Sequence, residues 1–148
     1  VFFGNLSQNS MKPPFLPPNF VKCISPARRK ELGVLTPEEA LAKSEVKSER
    51  DLHKLIRGLL GIKGIEFIES RMDKRTTQKR GVADFIFSVD VEGFAVACCW
   101  ECKYDGGDLT IEQAQMFLRM SKLPNHWRCR VIRSFDHAVF ELEELGIT

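Results

Sequence analysis

Glu101 and Lys103 stand two residues apart in an apolar run, so in an extended strand a carboxylate and an ammonium project from the same side. Phe94, Val96, Cys98, Trp100 and Cys102 take the other side, while Ala95, Ala97 and Cys99 share the charged one. Burying such a pair near a strand end costs on the order of several kcal/mol unless the two charges pair or hold a metal. Taken alone, the pair reads equally well as a cross-sheet ion pair. Asp84 adds a second acid, set among Val82, Ala83, Phe85, Ile86 and Phe87 with no basic residue in the run Val82 to Val89 to neutralise it. A short turn at Asp90 to Gly93 makes the two runs hairpin partners, so the two carboxylates can converge across neighbouring strands. Oxygen ligands of this kind, completed by water, suit Mg²⁺ or Mn²⁺. Phosphodiester hydrolysis needs an ionised water, a cation to neutralise growing charge on the phosphate, and a positive group beside the nucleophile. Asp84, Glu101 and Lys103 are the residue types for those tasks.

The elements that must position these residues follow from the apolar pattern. From Ser44 onward Leu52, Leu55, Ile56, Leu59 and Leu60 recur at three and four, a first core helix ended by Gly61 and Gly64. At about 100° per residue, Glu45 and Glu49 project to the side of those leucines and Asp51 falls off it. Acids in an early turn also meet the helix dipole favourably, so exposure of both glutamates is the competing reading. Strands are predicted at Ile65 to Arg71, Val82 to Val89 and Phe94 to Lys103. Thr110 caps a second helix with Ile111, Ala114, Phe117 and Leu118 on one face, closed by Pro124. Arg128 to Phe135 reads as a fourth strand, and Asp136 as the cap of a last helix running through Val139, Phe140 and Leu142 to Leu145 and stopped by Gly146. The order αβββαβ(α) predicts an α/β domain over residues 44–148 with a central mixed four-stranded sheet flanked by helices. Residues 1–43 read as a Pro-rich arm, carrying Pro13, Pro14, Pro17, Pro18 and Pro26, with a short helix signalled by Thr36, Pro37, Glu38 and Glu39.

With 148 residues, 43% of them hydrophobic, the chain has material for one core. No apolar run approaches the roughly 20 residues that cross a bilayer, so no membrane association is expected. Val1, Phe2 and Phe3 lack the basic start and cleavage site of a secretion signal, which predicts a cytoplasmic protein, with nucleoid or viral replication settings compatible. Position 1 is not Met, which reads as a processed chain or a piece of a longer one. The five cysteines are odd in number, and Cys98, Cys99 and Cys102 crowd one strand, so neither a disulfide framework nor a structural zinc site is expected. The net charge of +2 hides segregation. Arg71, Lys74, Arg75, Lys79 and Arg80 gather against the single Asp73, a stripe that would suit phosphate, while a solvated loop is the plainer alternative.

The ordered set Gly81-Val82-Ala83-Asp84, then Glu101-Cys102-Lys103, then Thr110-Ile111-Glu112-Gln113 opening a helix, resembles the PD-(D/E)XK nuclease superfamily. Within it the likeness is to the virus-type replication-repair nuclease module, VRR-NUC, related to Holliday junction resolvases, over about residues 44–140. That resemblance implies a restriction-endonuclease-like core and a divalent-metal-dependent DNA endonuclease, structure-selective for branched or flapped DNA and working as a homodimer in repair or recombination. It implies Asp84 and Glu101 as ligands of Mg²⁺ or Mn²⁺, joined by the Cys102 carbonyl and by Glu49 as the helix acid, with Glu45 and Asp51 as fallbacks. Lys103 would position or activate the attacking water, and Gln113 would orient Lys103 or a phosphate. The basic run from Arg71 to Arg80 would grip the nucleic acid backbone. Ala83 stands where the family commonly has Pro. The alternative is a nuclease fold that binds nucleic acid or a protein without cutting. His53, beside the helix acid, reads as incidental more readily than catalytic, as do His126 and His137; Tyr104 and Trp127 have either stacking on bases or packing open to them.

Overall fold

The computed structural model describes residues 23–70, 81–123 and 127–148. The basic positions Arg71, Lys74, Arg75, Lys79 and Arg80 lie outside the described residues, as do the prolines of the first 22 and His126. The chain divides into two compact units, Val1–Ala40 and Leu41–Thr148.

In the first unit, α1 (Pro26–Leu32) is an element that the sequence reading does not predict, yet its signals are ordinary ones. Ser25 accepts from the Arg28 N–H, Pro26 occupies the first turn, and Gly33 ends the helix at φ 65. The proline count of the preceding segment masks them. The helix expected after Thr36 is α2 (Pro37–Ala42). Thr36 and Glu39 close a reciprocal capping box, the Glu39 N–H donating to Thr36 Oγ1 at 3.1 Å and the Thr36 N–H to Glu39 Oε2 at 2.7 Å.

The second unit is α/β and follows the expected element order. Helix α3 (Glu49–Ile62) precedes β1 (Phe67–Glu69), β2 (Phe85–Val91) and β3 (Phe94–Cys102), which are followed by α4 (Ile111–Ser121), β4 (Arg128–Ile132) and α5 (Phe135–Glu144). The strands form one mixed sheet in the order β1-β2-β3-β4, antiparallel up to β3 and parallel between β3 and β4. The β2–β3 turn is tight because Glu92 (φ 53) and Gly93 (φ 85) both adopt left-handed backbone, the geometry that matches strand twist in a two-residue hairpin. That hairpin sets the register Phe85 opposite Trp100, which carries the neighbourhood of Asp84 to that of Glu101.

One face of the sheet makes the core. Phe85 and Phe87 of β2, Cys98, Trp100 and Cys102 of β3 and Ile132 of β4 pack with the leucine stripe of α3 and with Ala138 and Leu142 of α5. Phe87 meets Trp100 edge-on with ring centroids 4.9 Å apart. Phe94, expected to share that face, is exposed at the hairpin end. The other face carries Glu101 and meets α4 through Gln113. The apolar side expected of α4 is not covered among the described residues: Ile111 is 75% and Leu118 58% exposed. The helix is held by its first turn and along β4 instead. Several bounds differ from expectation. The first core helix starts at Glu49 under a Ser48 cap, not at Ser44, and α5 is capped by Ser134, with Asp136 inside its first turn. Cys98, Cys99, Cys102 and Cys129 form no disulfide among the described residues, Cys99 and Cys129 lying side by side in the parallel register. Among the described residues no helix is long and apolar enough to cross a membrane.

Candidate active site

Asp84 sits at a bend immediately ahead of β2, not two residues into a strand as the alternation of Val82 to Val89 suggested. The cause lies at Gly81, whose φ is 86 and at which an added Cβ would stand 2.5 Å from the Glu112 carbonyl oxygen. The chain there runs against the first turn of α4, a path open only to glycine. It reaches sheet geometry only at Phe85. Asp84 keeps one bond to the β1 side, its carbonyl accepting the Ser70 N–H at 2.9 Å, and turns its carboxylate to the end of β3, where Oδ2 accepts the Cys102 N–H at 2.7 Å. Asp84 is 5% exposed.

Glu101 lies one residue short of the end of β3 and is 1% exposed. Its Oε1 takes the Lys103 ammonium at 3.0 Å and a hydrogen bond donated by Gln113 Nε2. Its Oε2 is buried with no hydrogen-bond partner. The Gln113 side-chain amide is fixed from both ends, because its Oε1 also accepts the Thr110 N–H at 2.8 Å, and the Gln113 backbone N–H donates to Thr110 Oγ1. The capping box of α4 thus doubles as an aiming device for Glu101. Gln113 engages Glu101, rather than Lys103 or an open phosphate position as the resemblance implied. Gly107 lies over the Lys103 stem, and Arg133 donates to the Gly107 carbonyl at 2.7 Å, which fixes the loop between β3 and α4.

Of the three candidate helix acids, Glu49 is the one placed toward Glu101. It opens α3, is half-buried, and its charge bears on Glu101. Glu45 lies outside the helix, exposed and 3.3 Å from the Lys47 ammonium. Asp51 accepts the Lys47 N–H at 3.1 Å and so belongs to the helix cap. Neither fallback reaches the site. Cys102 was expected to offer its carbonyl; its N–H holds Asp84 and its side chain lies in the core. Tyr104 donates to the Val46 carbonyl at 3.4 Å, an anchor for the segment ahead of α3.

His53 is the residue that sequence reasoning undervalued. It is 4% exposed, stacks obliquely on Phe85, and places Nε2 3.2 Å from Asp84 Oδ2 and Nδ1 3.6 Å from Glu69 Oε1. Glu69 is clasped by Arg57 through two bonds of 2.7 Å. The one available signal was helical: His53 stands a full turn after Glu49, so the two share a side of α3. Among the described residues, His53, Asp84 and Cys102 form the group of three ligand-bearing side chains that gathers, their ligand atoms all within 4.8 Å of one another. Glu101 stands outside that group.

The surroundings of Glu101 disfavour its charged form. Burial pushes the Glu101 carboxyl up to about 7, the Asp84 charge pushes the same way, and Lys103 only partly offsets them. Burial opposes a charge on His53, but Asp84 and Glu69 outweigh it and raise its affinity for a proton. Arg57 holds Glu69 below the usual carboxylate range. A dication next to Glu101 would have to displace its proton below about pH 7. Mn²⁺ affinity is therefore expected to fall about tenfold for each pH unit below 7 and to level off above it, as measured by Mn²⁺ paramagnetic resonance titration.

Comparison of the chain with protein-family models, with curated proteins and with solved structures found no match. The functional reading therefore rests on the residues and their geometry.

Proposed function

We propose that this chain is a divalent-metal-dependent phosphodiesterase of the PD-(D/E)XK nuclease class with a restriction-endonuclease-like core. More particularly, we propose a DNA endonuclease module of the VRR-NUC type. The observation that carries the reading is Glu101: a carboxylate 1% exposed, aimed by Gln113 and Lys103, with Oε2 buried and unpartnered beside a second buried acid, Asp84. An unpartnered carboxylate oxygen inside a protein is costly unless a cation meets it. The set also fits a hard ion, since the acids supply oxygen.

Asp84 and Glu101, with the Cys102 carbonyl and Glu49 completing the set, would hold Mg²⁺ or Mn²⁺. The ion, when bound, supplies a lower pKa for a water and neutralisation of charge on the scissile phosphate. The remaining work belongs to the chain. The Lys103 ammonium, tethered to Glu101 at 3.0 Å, offers a positive group to the nucleophile or to the charge that grows on the phosphate. The Cys102 N–H locks the Asp84 rotamer, and Gln113 locks that of Glu101. Arg71, Lys74, Arg75, Lys79 and Arg80, which lead directly into Gly81, would bind the DNA backbone by charge, so binding should weaken steeply with salt.

The test is cleavage of labelled linear, branched and flapped DNAs with and without Mg²⁺ or Mn²⁺. Metal-dependent cutting is expected, lost in Asp84→Ala and Lys103→Ala while DNA binding persists. Absence of cutting on every substrate at high enzyme in Mn²⁺ contradicts the reading and leaves a binding module.

A further inference from the structure

We propose that His53, Asp84 and Cys102 form a binding site for a borderline-soft transition cation of the Zn²⁺ or Co²⁺ kind, overlapping the proposed Mg²⁺ or Mn²⁺ position at Asp84. It does not depend on the nuclease reading, because its evidence is a donor set and the carboxylate behind its histidine rather than an activity. Imidazole nitrogen, thiolate sulfur and carboxylate oxygen are donors that Zn²⁺ and Co²⁺ accept, whereas Mg²⁺ takes oxygen. The three ligand atoms lie within 4.8 Å of one another, and all three residues are buried. Bond lengths of about 2.0–2.3 Å at a tetrahedral ion put ligand atoms roughly 3.3–3.8 Å apart, so the widest gap would close by at most about 1.5 Å on binding, with water in the fourth position.

Two further observations point to an ion. His53 Nε2 is buried and makes no hydrogen bond, although it stands 3.2 Å from Asp84 Oδ2. A nitrogen that close to a carboxylate oxygen, off the line of a hydrogen bond, is placed as two ligands of one cation are placed. On the other side of the ring, Nδ1 faces Glu69, itself clamped by Arg57. A carboxylate behind a histidine is the arrangement that fixes the tautomer and sharpens the basicity of a metal-bound imidazole. The cysteines alternate along a strand, which argued against a zinc site built on cysteines alone; this one takes a single cysteine and draws its other donors from α3 and from the bend before β2. On uptake the Cys102 thiol, held protonated by burial, forms its bond to the metal as its S–H bond breaks, and the proton passes to buffer without any change of oxidation state.

The experiment titrates the whole chain with Co²⁺ under reducing, thiol-free conditions at about pH 8, above the ordinary histidine range. A near-ultraviolet thiolate-to-cobalt band that saturates at one ion per chain, and that Zn²⁺ abolishes, is expected. Cys102→Ser should remove the band, and Glu69→Gln should weaken Zn²⁺ binding by about 10–100-fold in competition with a chelating dye. If Cys102→Ser fails to fold by circular dichroism, the chain with Cys23→Ser, Cys98→Ala, Cys99→Ala and Cys129→Ser, which keeps Cys102 as its one thiol, carries the test and must retain the band. No band in the wild-type chain overturns the proposal. So does a band undiminished in folded Cys102→Ser, or one lost in the quadruple variant, because either places the ion on the other thiols. Mn²⁺-dependent DNA cleavage that persists while the cobalt band is absent would sink this site and leave the nuclease reading standing.

Discussion

Glu101→Gln is expected to make the chain more stable and inactive at once. At pH 8 in a chelator, the wild-type fold carries an ionised Glu101 whose carboxyl the site pushes up to about 7, burial being the main cause and Asp84 the second. The folded state therefore keeps a proton that the unfolded chain gives up near 4.5, so stability falls as pH rises from about 4.5 to about 7 and is flat above. Replacing the acid by its neutral isostere removes that penalty. A gain on the order of 1–3 kcal/mol is expected, at the low end because Lys103 loses its partner. Urea melts at pH 5 and pH 8 read it: the variant should lead at pH 8, and the lead should shrink at pH 5. Mn²⁺ should stabilise the wild type and leave the variant nearly unmoved. Cleavage should drop by about 10³-fold or more, the scale on which losing a preorganised charge slows a reaction. A variant less stable than wild type at pH 8 would mean that the Lys103–Glu101 pair is a structural ion pair.

The second large effect is expected at a residue that touches no substrate. Gly81→Ala places a methyl 2.5 Å from the Glu112 carbonyl oxygen and asks a non-glycine residue to hold φ 86. Backbone strain of this kind costs about 1–3 kcal/mol, and the contact adds to it because both sides are backbone. A loss of at least about 2 kcal/mol is expected in urea unfolding. Any part of the clash relieved by moving α4 carries Gln113 off Glu101, so on the proposed nuclease reading the residual folded protein should also cut DNA more slowly. Gly93→Ala is the control, since its φ is also positive (85) but nothing lies within 4 Å of the added Cβ. It should show the strain without the displacement, and so leave cleavage near the wild-type rate.

How much of this was legible in the sequence can be judged residue by residue. The period-two alternation about Trp100 marked which side of β3 holds Glu101 and Lys103, because a strand allows no other arrangement. Thr110 announced the cap of α4, while the part Gln113 plays in it as a reciprocal capping box was not read, although the spacing carries it. The element order and the β2–β3 hairpin followed from apolar periodicity and turn residues, whereas the strand order β1-β2-β3-β4 was not read, and the apolar side of α4 is exposed at Ile111 and Leu118 rather than packed. His53 could not be read in this way. Its partners Asp84 and Glu69 come from separate elements, and a single histidine within a leucine-rich helix leaves the local pattern unchanged. The bend at Asp84 was equally hidden, since it arises where Gly81 passes the backbone of a helix that begins thirty residues later, at Ile111. Local propensity reports local chemistry, and a site assembled from α3, β1, β3 and the start of α4 is a product of tertiary packing.

Anomalous diffraction from crystals soaked in Mn²⁺ tests whether Asp84 and Glu101 share one ion. The account expects one strong peak within about 2.0–2.6 Å of an oxygen of Asp84 and of an oxygen of Glu101, absent from crystals of Glu101→Gln. A Mn²⁺ peak that leaves Glu101 without contact, or no peak at a concentration that saturates other sites, would contradict it.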